Sequence, residues 1–417
     1  MKNRKNWLIV LSCAMLVLAF TTGGIAADQP NKVKLGILLP LTGTFASVAE
    51  TQRDGALLAV DDLNAKGGLN MPWGKVKVEP VVGDDEAKLD VGVRRFSYMS
   101  SEGIKGIMGQ TWAPMAFAIN ELVKKSPMPY FPTCVMAKDA FKKGTLSDAT
   151  FAVAFSPWTV GYMDASAAIN VLGKKRIFML ARADAWGWDI RDGVKDAIKE
   201  FGGEMVGYAE LPKGTSDYTA VLQKVKAAKP DVFICAQFAG DAVALLKQCF
   251  QLGLNKDMVI FNSFITNVVA KGIPPKALKD VYSMHYYYYD LAGLKDPELE
   301  AKAKAYTARY QKKYGTPPDA YATIAYVAAN ELFRGMEKAG SLEPKAIAAA
   351  VMADGGKFDC VKGSAQWRED HTPIYKYAAF LVRGKGPAEQ KSEWDLFEVV
   401  GYQGGPKVLP PLSSLGY

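Results

Sequence analysis

Residues 33–68 read VKLGILLPLTGTFASVAETQRDGALLAVDDLNAKGG, and this stretch decides the fold class. The mostly apolar run 33–38 is ended by Pro40, which predicts a buried strand followed by a polar turn. Ser47 and Glu50 form a capping-box signature, so we expect a helix to begin there. Four apolar residues then share one face of that helix: Ala56, Leu57, Val60 and Leu63. Strand, turn and helix make half of a βαβ unit, whose turn lies at the sheet edge where α/β proteins bind ligands.

The alternation of strands and helices continues through two blocks of the chain. Further strands are predicted at residues 75–82, 104–108 and 128–131 in the first block, and at 176–180, 204–208, 231–235 and 258–261 in the second. After these the sequence predicts a strand at 281–289, helices at 297–314, 320–339 and 344–352, and a β-rich tail at 358–400. Two such blocks predict an α/β protein with two doubly wound parallel sheets, each covered by helices on both faces.

The first 27 residues are predicted to be a cleavable export signal. A basic start is followed by an apolar stretch at residues 7–20 and by small residues at 24–27. The segment around Cys13 imitates a lipoprotein box only loosely, because apolar residues continue after it, so lipid anchoring is not expected. No later run is long and apolar enough for a membrane helix. We therefore expect an exported, soluble, periplasmic protein.

Charge and cysteine content exclude several classes of function. The net charge is +8, and three of the basic residues lie in the export signal; the rest of the excess is spread along the chain without a dense block. A nucleic-acid surface requires clustered charge, so no nucleic-acid partner is expected. Cys134, Cys235, Cys249 and Cys360 allow up to two disulfides in an oxidising compartment, in any of three pairings. With no CxxC motif and two distant histidines, neither a metal nor a cofactor is expected.

Motifs typical of enzymes are absent from the sequence. It has no G-x-S-x-G elbow, no G-x-x-x-x-G-K-[ST] phosphate loop and no G-x-G-x-x-G after a strand. Asp84 and Asp85 resemble a pair of catalytic carboxylates, but a helix start that favours negative charge is the more common reason for such a pair. Together with export and the two-block plan, this favours a binding protein over an enzyme.

Five motifs follow one another along the chain. They are Gly36-x-x-x-Pro40-Leu41-Thr42-Gly43, Gly55-Ala56, Asp62-Leu63-Asn64-Ala65-Lys66-Gly67-Gly68, Asp184-Ala185-Trp186-Gly187, and Phe358-Asp359-x-Val361-x-Gly363 with Trp367. In this order and spacing they resemble periplasmic solute-binding proteins of the leucine/isoleucine/valine type, which serve ABC importers of branched-chain amino acids and amides. The resemblance covers almost the whole mature chain and implies two lobes, joined by three crossovers, that close on a ligand without catalysing a reaction.

The resemblance also implies how the chain divides. Lobe 1 is expected to comprise residues 28–150 and 285–343, and lobe 2 residues 151–284 and 344–417. The crossovers are expected near residues 150–157, 281–290 and 355–375. The run Tyr286 to Tyr289 lies at the second crossover, and on a strand its members would face alternate sides. We expect some of these tyrosines to line the hinge and at most one to contact ligand.

The first-lobe positions that correspond to the family's ligand-binding residues are mostly apolar in this chain. They are Val48, Gln110, Thr111, Trp112, Ala113, Thr133, Cys134 and Val135. Ala113 stands where the family has a serine that binds the ligand's α-carboxylate together with backbone N–H groups. Val135 stands where a threonine is usual, and Val48 appears in place of an aromatic residue of the first loop.

In the second lobe, Trp186 and Phe238 match aromatic residues that cover the ligand. The family's glutamate, which pairs with the ligand's ammonium group, would lie near Phe264, where this chain has no acid. A buried ammonium without that partner would cost several kcal/mol. The lining therefore favours an aromatic or aliphatic carboxylic acid, or an amide. Arg182 either receives the carboxylate as a bidentate pair or is held at the rim by Asp184.

The sequence thus predicts an extracytoplasmic receptor that captures a small, largely apolar ligand by hinge closure. The expected partners are this ligand and the transmembrane subunits of an ABC permease, and the receptor is expected to be a monomer. A receptor for branched-chain or aromatic amino acids is the alternative within the family. A ligand-sensing regulator of the same fold and a secreted enzyme are the alternatives outside it.

Overall fold

The computed structural model describes residues 29–43, 45–134 and 136–417. The predicted export signal, including Cys13, therefore lies outside the described residues, as does Val135. Within the described part of the chain, no helix is long and apolar enough to cross a membrane. The fold is α/β, as the sequence predicts, with one five-stranded, one seven-stranded and one three-stranded sheet.

The first sheet is built from the strands of the first block. Its strands are β1 (Lys32–Leu39), β2 (Leu69–Met71), β3 (Gly74–Asp84), β4 (Ile104–Gly109) and β5 (Tyr130–Pro132), in the order β2-β3-β1-β4-β5. β3, β1, β4 and β5 are parallel, and only β2 is antiparallel to its neighbour. The helices of this block are Ala46–Ala65, Leu89–Ser101 and Ala113–Lys125. The carboxyl ends of β1, β4 and β5 consequently lie at one edge of the sheet.

The opening helix has its N-cap two residues earlier than predicted and lacks the predicted capping box. Phe45 occupies the N-cap position and its side chain makes no capping hydrogen bond, so Ser47 lies inside the first turn. At the other end, the Asn64 side chain bonds both the N–H and the carbonyl of Val78, at 2.9 and 2.8 Å. Gly55 permits a close helix contact, since a Cβ there would lie 2.0 Å from the carbonyl oxygen of Ala322. The helix is thus fixed by β3 and by a helix distant in sequence.

The acidic pair at the end of β3 does not start a helix. Asp84 is the last residue of β3, and the next helix begins only at Leu89. The Asp84 carboxylate accepts hydrogen bonds from the Leu41 N–H at 2.9 Å and from the Thr42 hydroxyl at 2.8 Å. Its role is to hold the loop after β1, so the expectation of a helix start is wrong.

The second sheet contains the strands of the second block and part of the tail. Its strands are β6 (Arg176–Arg182), β7 (Glu204–Leu211), β8 (Val232–Cys235), β9 (Val259–Asn262), β10 (Val281–His285), β14 (Ala379–Gly384) and β15 (Phe397–Gln403). Their order is β15-β14-β10-β9-β8-β6-β7, with β14 and β15 antiparallel. Its helices are Pro157–Asn170, Ala185–Phe201, Thr219–Ala228, Gly240–Gln251, Leu254–Asp257, Asn267–Ala270 and Pro275–Leu278. The tail therefore completes this sheet, contributes no strand to the first, and forms a small antiparallel sheet of β11 (Lys357–Cys360), β12 (Gly363–Trp367) and β13 (Pro373–Tyr375).

The three C-terminal helices have the predicted bounds, Pro297–Tyr314, Ala320–Ala339 and Pro344–Met352. Ala320–Ala339 packs on the opening helix, and Pro344–Met352 packs on Ala320–Ala339. We call the five-stranded sheet with its helices the first lobe, and the seven-stranded sheet with its helices the second lobe. The contacts of Pro344–Met352 lead us to propose that the first lobe extends through Met352 instead of ending at residue 343.

The tyrosine run lies just outside β10. That strand ends at His285, so the alternation of faces predicted for Tyr286 to Tyr289 does not occur. Tyr286 and Tyr375 share a hydrogen bond of 2.9 Å between their hydroxyl groups, and Tyr375 donates to the carbonyl of Val153 at 2.9 Å. These three residues come from the three segments where crossovers are expected, and they join there in a buried cluster. None of the four tyrosines lines the cavity described below.

Cys134, Cys235, Cys249 and Cys360 are free thiols, so neither of the two disulfides allowed by composition is formed among them. The first three are buried, and burial raises the pKa of the Cys134 and Cys249 thiols to about 12. These three thiols are packed as small apolar groups.

Candidate functional site

A cavity of about 390 Å³ lies between the two lobes, a volume suited to a small molecule. From the first lobe it is lined by Phe45, Thr111, Trp112, Ala113, Pro114, Phe117, Ala137 and Tyr321. From the second lobe it is lined by Pro157, Arg182, Asp184, Ala185, Trp186, Lys213, Phe238 and Phe264. Most of these residues follow the carboxyl ends of strands, which is where ligands bind in parallel α/β sheets.

The structure brings together seven of the predicted binding residues in this lining. They are Thr111, Trp112, Ala113, Arg182, Trp186, Phe238 and Phe264. Four others, Val48, Gln110, Thr133 and Cys134, do not line the cavity because they are buried behind its first-lobe wall. The remaining one, Val135, is not among the described residues.

The buried polar residues behind the wall hold its loops in place. Gln52, from the opening helix, donates to the carbonyl and the hydroxyl of Thr133 at 2.8 and 3.0 Å. The same amide accepts a hydrogen bond of 2.5 Å from the Thr111 hydroxyl. Gln110 accepts a hydrogen bond from the Tyr130 hydroxyl. Gln110 and Thr133 therefore position the loops after β4 and β5.

Several lining residues are missed by sequence reasoning. Phe45 places an aromatic ring in the cavity three residues before Val48. The interpretation that this loop has Val48 in place of an aromatic residue is therefore wrong. The sequence does indicate this residue, because Phe45 is the one aromatic residue in the turn TGTFA. Tyr321 lines the cavity from helix Ala320–Ala339, which is far in sequence from the first-lobe loops that it faces. Lys213 follows β7 and has no recognisable motif around it. For these two the sequence carries no local signal.

Aromatic rings from both lobes meet across the cavity. The centroid of the Tyr321 ring lies 5.7 Å from that of Phe264 and 6.2 Å from that of Phe238. Phe238 in turn lies 6.4 Å from Trp186. Edge-to-face and tilted pairs at these separations are favourable. They form a continuous apolar wall that spans the two lobes.

The loops around this wall contain three non-glycine residues with positive φ. Gln110, Ala239 and Phe264 have φ of 62°, 54° and 58°, and they follow β4, β8 and β9 respectively. A side chain in this region of φ costs of order 1–3 kcal/mol, and such strain clusters at ligand sites. Three of the ten non-glycine residues with positive φ in the described chain thus follow strands whose ends meet the cavity.

Arg182 is held by Asp184 and still presents donors to the cavity. Its Nε lies 2.5 Å from Asp184 Oδ2, and its guanidinium carbon lies 4.5 Å from the centroid of the Trp186 ring. Asp184 Oδ1 accepts from the Gly187 N–H at 3.1 Å as the N-cap of helix Ala185–Phe201. Within the described chain the two terminal nitrogens of Arg182 have no protein partner. Being held by Asp184 therefore leaves Arg182 able to receive a ligand carboxylate as well.

Lys213 is the second cation of the lining. Its ammonium lies 4.8 Å from the centroid of the Phe45 ring, so a second-lobe charge contacts a first-lobe ring. Among the described residues it forms no ion pair. With Asp184 committed to Arg182, the cavity carries a net positive charge of one.

The first-lobe side offers few donors to an anion. The single proton of the Thr111 hydroxyl is donated to Gln52, Ala113 has no hydroxyl, and Pro114 has no N–H. Behind Trp112 lies the buried carboxyl of Asp85, and burial raises the pKa of that group to about 6. No group of three His, Cys, Asp or Glu side chains in the described ranges is arranged to hold a metal ion.

The sequence profile of the family described as periplasmic binding protein matches residues 32–387. A leucine-, isoleucine-, valine-, threonine- and alanine-binding protein of Pseudomonas aeruginosa is 23% identical over 362 residues, covering 85% of this chain and 90% of the relative. An amino acid ABC transporter substrate-binding protein of Pseudomonas fluorescens has a similar structure, with a TM-score of 0.80 at 21% identity, covering 92% of this chain and 98% of the other. A solute binding protein of an ABC transporter from R. palustris, in complex with benzoate, has a TM-score of 0.73 at 19% identity, covering 90% and 97% of the two chains. At these identities the structural similarities establish a common fold.

Proposed function

The chain belongs to the periplasmic binding protein family, as its motifs indicate, and we propose that it is the ABC-importer receptor for a small carboxylic acid with an apolar body. The observation that carries this proposal is the guanidinium of Arg182, which lines an apolar, aromatic cavity and whose terminal nitrogens have no protein partner among the described residues. A planar guanidinium edge matches a carboxylate in a bidentate pair. Aromatic or aliphatic acids satisfy both the cation and the walls.

A free amino acid fits the lining less well than a simple acid. Its ammonium group would need a carboxylate partner, and Asp184 is the one acid in the described lining. Both oxygens of Asp184 are already engaged, one by Arg182 and one by the Gly187 N–H. A desolvated ammonium without a partner costs several kcal/mol. An uncharged amide avoids this cost but leaves the net positive charge of the cavity uncompensated.

The ligands named for two similar proteins correspond to the proposed ligand class and to its alternative. The P. aeruginosa relative is named for leucine, isoleucine, valine, threonine and alanine, whereas the R. palustris protein of the same fold is in complex with benzoate. The aromatic lining and the position of Arg182 favour a benzoate-like ligand for this chain. A receptor for branched-chain or aromatic amino acids remains the alternative to be tested.

The remaining parts of the proposal concern the receptor's working cycle. We expect residues 1–27 to direct export to the periplasm, where the mature chain acts as a monomer and catalyses no reaction. Ligand contacts with both lobes would favour the closed form, which would then be recognised by the permease subunits. Ligand-sensing regulation on the same fold would require no permease.

The direct test is a thermal-shift and calorimetric screen of ligand-free mature protein. The panel contains benzoate, 4-methylbenzoate, hexanoate, benzamide, leucine and valine. A ligand present at 100 times its Kd adds about 2.7 kcal/mol to the free energy of unfolding, which is readily detected as a shift in Tm. We expect stabilisation by the acids and little by the amino acids. Stabilisation by leucine or valine with none from the acids would overturn the proposed ligand class and leave the family intact.

A further inference from the structure

The charges of the cavity are distributed unequally between its two walls. All the charged side chains in the described lining belong to the second lobe: Arg182, Asp184 and Lys213. The described first-lobe lining consists of aromatic, small and proline residues together with the Thr111 hydroxyl. The second-lobe wall therefore suits the charged end of a ligand, and the first-lobe wall suits its apolar end.

The two cations lie at the same edge of the second sheet. β6 and β7 are parallel neighbours, and Arg182 at the end of β6 is opposite Leu211 at the end of β7. Lys213 follows Leu211 by two residues. Both residues extend from the carboxyl ends of adjacent strands and both line the cavity, so the two cations belong to its second-lobe end. A carboxylate at that end would be near both.

The first-lobe wall is poorly suited to receive the carboxylate. The resemblance implied binding there through a serine, and this chain has Ala113 at that position. The Thr111 proton is committed to Gln52 at 2.5 Å. Asp85, buried behind Trp112, adds negative charge to this side above its pKa of about 6. What remains is the backbone at the start of helix Ala113–Lys125, where Pro114 removes one N–H, together with two uncharged donors, the Trp112 indole N–H and the Tyr321 hydroxyl.

We propose that the ligand lies with its carboxylate at the second lobe, between Arg182 and Lys213, and its apolar body against the first lobe. This polarity is opposite to the one implied by the resemblance, and Lys213 becomes a specificity-determining residue. The proposal rests on the proposed function, since it assumes a carboxylic acid as ligand. Lys213 also contacts Phe45 across the cleft, at 4.8 Å from its ring centroid. Binding of the anion and contact between the lobes thus involve the same side chain.

The test compares benzoate with benzamide, which has the same shape without the charge. Calorimetric Kd values are measured for wild-type mature protein, Arg182→Gln and Lys213→Gln. Lys224→Gln is the matched control, because Lys224 is exposed on helix Thr219–Ala228. We expect benzoate affinity to fall about 100-fold in Arg182→Gln and about tenfold in Lys213→Gln, as for hydrogen bonds to charged groups. Benzamide affinity should change by less than about threefold in each.

A fourth variant, Thr111→Val, examines the opposite wall. We expect it to leave the ratio of benzoate to benzamide affinity unchanged, because the Thr111 proton is used within the protein. Loss of the benzoate preference in Thr111→Val, with the preference intact in Arg182→Gln and Lys213→Gln, would overturn the proposed polarity but not the proposed function. Failure of wild-type protein to bind benzoate and the other acids would overturn both. Should Arg182→Gln fail to fold, Lys213→Gln decides the question, since Lys213 is exposed.

Discussion

The ring of Tyr321, from the first lobe, stands edge-on to the ring of Phe264, from the second lobe, at a centroid distance of 5.7 Å. Phe264 holds this position with φ of 58°, a conformation that side-chain-bearing residues rarely adopt. The same tyrosine ring lies 6.2 Å from Phe238. One first-lobe side chain therefore contacts two second-lobe rings, and the wall of the cavity is also a contact between the lobes.

Replacing Tyr321 by Ala should weaken benzoate binding by about tenfold, since favourable aromatic pairs contribute about 0.5–1.5 kcal/mol beyond the area they bury. Tyr321→Phe retains the ring and should bind within about threefold of wild type. Calorimetry with benzoate measures both variants, and Tyr98→Ala, at a residue that is 58% exposed, is the control. If Tyr321→Phe loses as much affinity as Tyr321→Ala, the hydroxyl rather than the ring contacts the ligand.

A second prediction concerns the amide that supports the loops from behind. Gln52→Ala should lower the free energy of unfolding by about 2–3 kcal/mol, because it leaves the buried Thr111 hydroxyl without its acceptor and the buried Thr133 carbonyl without the donor from Gln52. The urea midpoint measures this loss. Gln223→Ala, at an exposed position of helix Thr219–Ala228, should change it by less than about 0.5 kcal/mol. Equal midpoints for the two variants would show that the Gln52 network adds no stability.

The C-terminal helices show why some elements are predictable from the sequence. Asp296 and Asp319 each cap a helix by accepting a hydrogen bond from the N–H three residues later. Gly315 and Gly340 end these helices in the left-handed conformation. Such signals are local and strong, so the predicted bounds agree with the structure. At residue 47 an equally local signal fails, because the chain begins its helix earlier and Phe45 faces the cavity instead.

The cavity shows the limits of the same reasoning. Arg182 and Trp186 were predictable because they stand directly at a strand end and in a loop with a recognisable motif. Lys213 and Tyr321 reach the cavity only through the arrangement of strands and helices that are distant in sequence. The carboxylate of Asp84, which suggested a helix start, bonds instead to a loop more than 40 residues earlier. The roles of such residues depend on tertiary contacts. These contacts join residues that are far apart in the chain, so a local stretch of sequence does not reveal them.

A third prediction follows from a buried carboxyl in the second lobe. Asp164 lies within helix Pro157–Asn170, and its Oδ2 accepts a hydrogen bond of 2.5 Å from the Ser263 hydroxyl, while Oδ1 has no partner in the described structure. Burial raises the pKa of this carboxyl to about 8. The folded protein therefore holds more protons than the unfolded chain between about pH 4 and pH 8, so this group's contribution to stability is lost as the pH rises through that range.

Asp164→Asn removes this titration and should be more stable than wild type by about 2 kcal/mol at pH 9, with little difference at pH 4. Urea unfolding at pH 4, 7 and 9 measures the change. Asp148→Asn, at an exposed residue, should show no such dependence. A wild type that is as stable as Asp164→Asn at pH 9 would indicate that the carboxylate is accommodated without cost.

Lys362 lies at the cluster that joins the expected crossovers, and it is completely buried. Its Nζ donates to the carbonyl of Ala378 at 2.7 Å. The same nitrogen lies 3.3 Å from the centroid of the Tyr286 ring and 4.2 Å from that of Tyr375. No carboxylate in the described structure forms an ion pair with it, and burial lowers the pKa of its amine well below the usual value. A fully buried amine without an ion-pair partner among the described residues thus lies at the junction of the lobes.

Lys362→Met should raise the free energy of unfolding by about 2 kcal/mol at pH 7, because methionine fills the site without an amine that must lose its proton on folding. At a pH between the lowered pKa of Lys362 in the folded protein and its unfolded value of about 10.4, the amine is protonated in the unfolded chain and neutral in the folded one. The contribution of Lys362 to the stability of the wild type therefore rises with pH over this range. The advantage of Lys362→Met should therefore shrink as the pH rises to 9.5. Urea midpoints measure this, with Lys357→Met, at an exposed residue of β11, as the control. A variant less stable than wild type at pH 7, with an unchanged pH profile, would mean that the two tyrosine rings hold Lys362 as an ammonium ion.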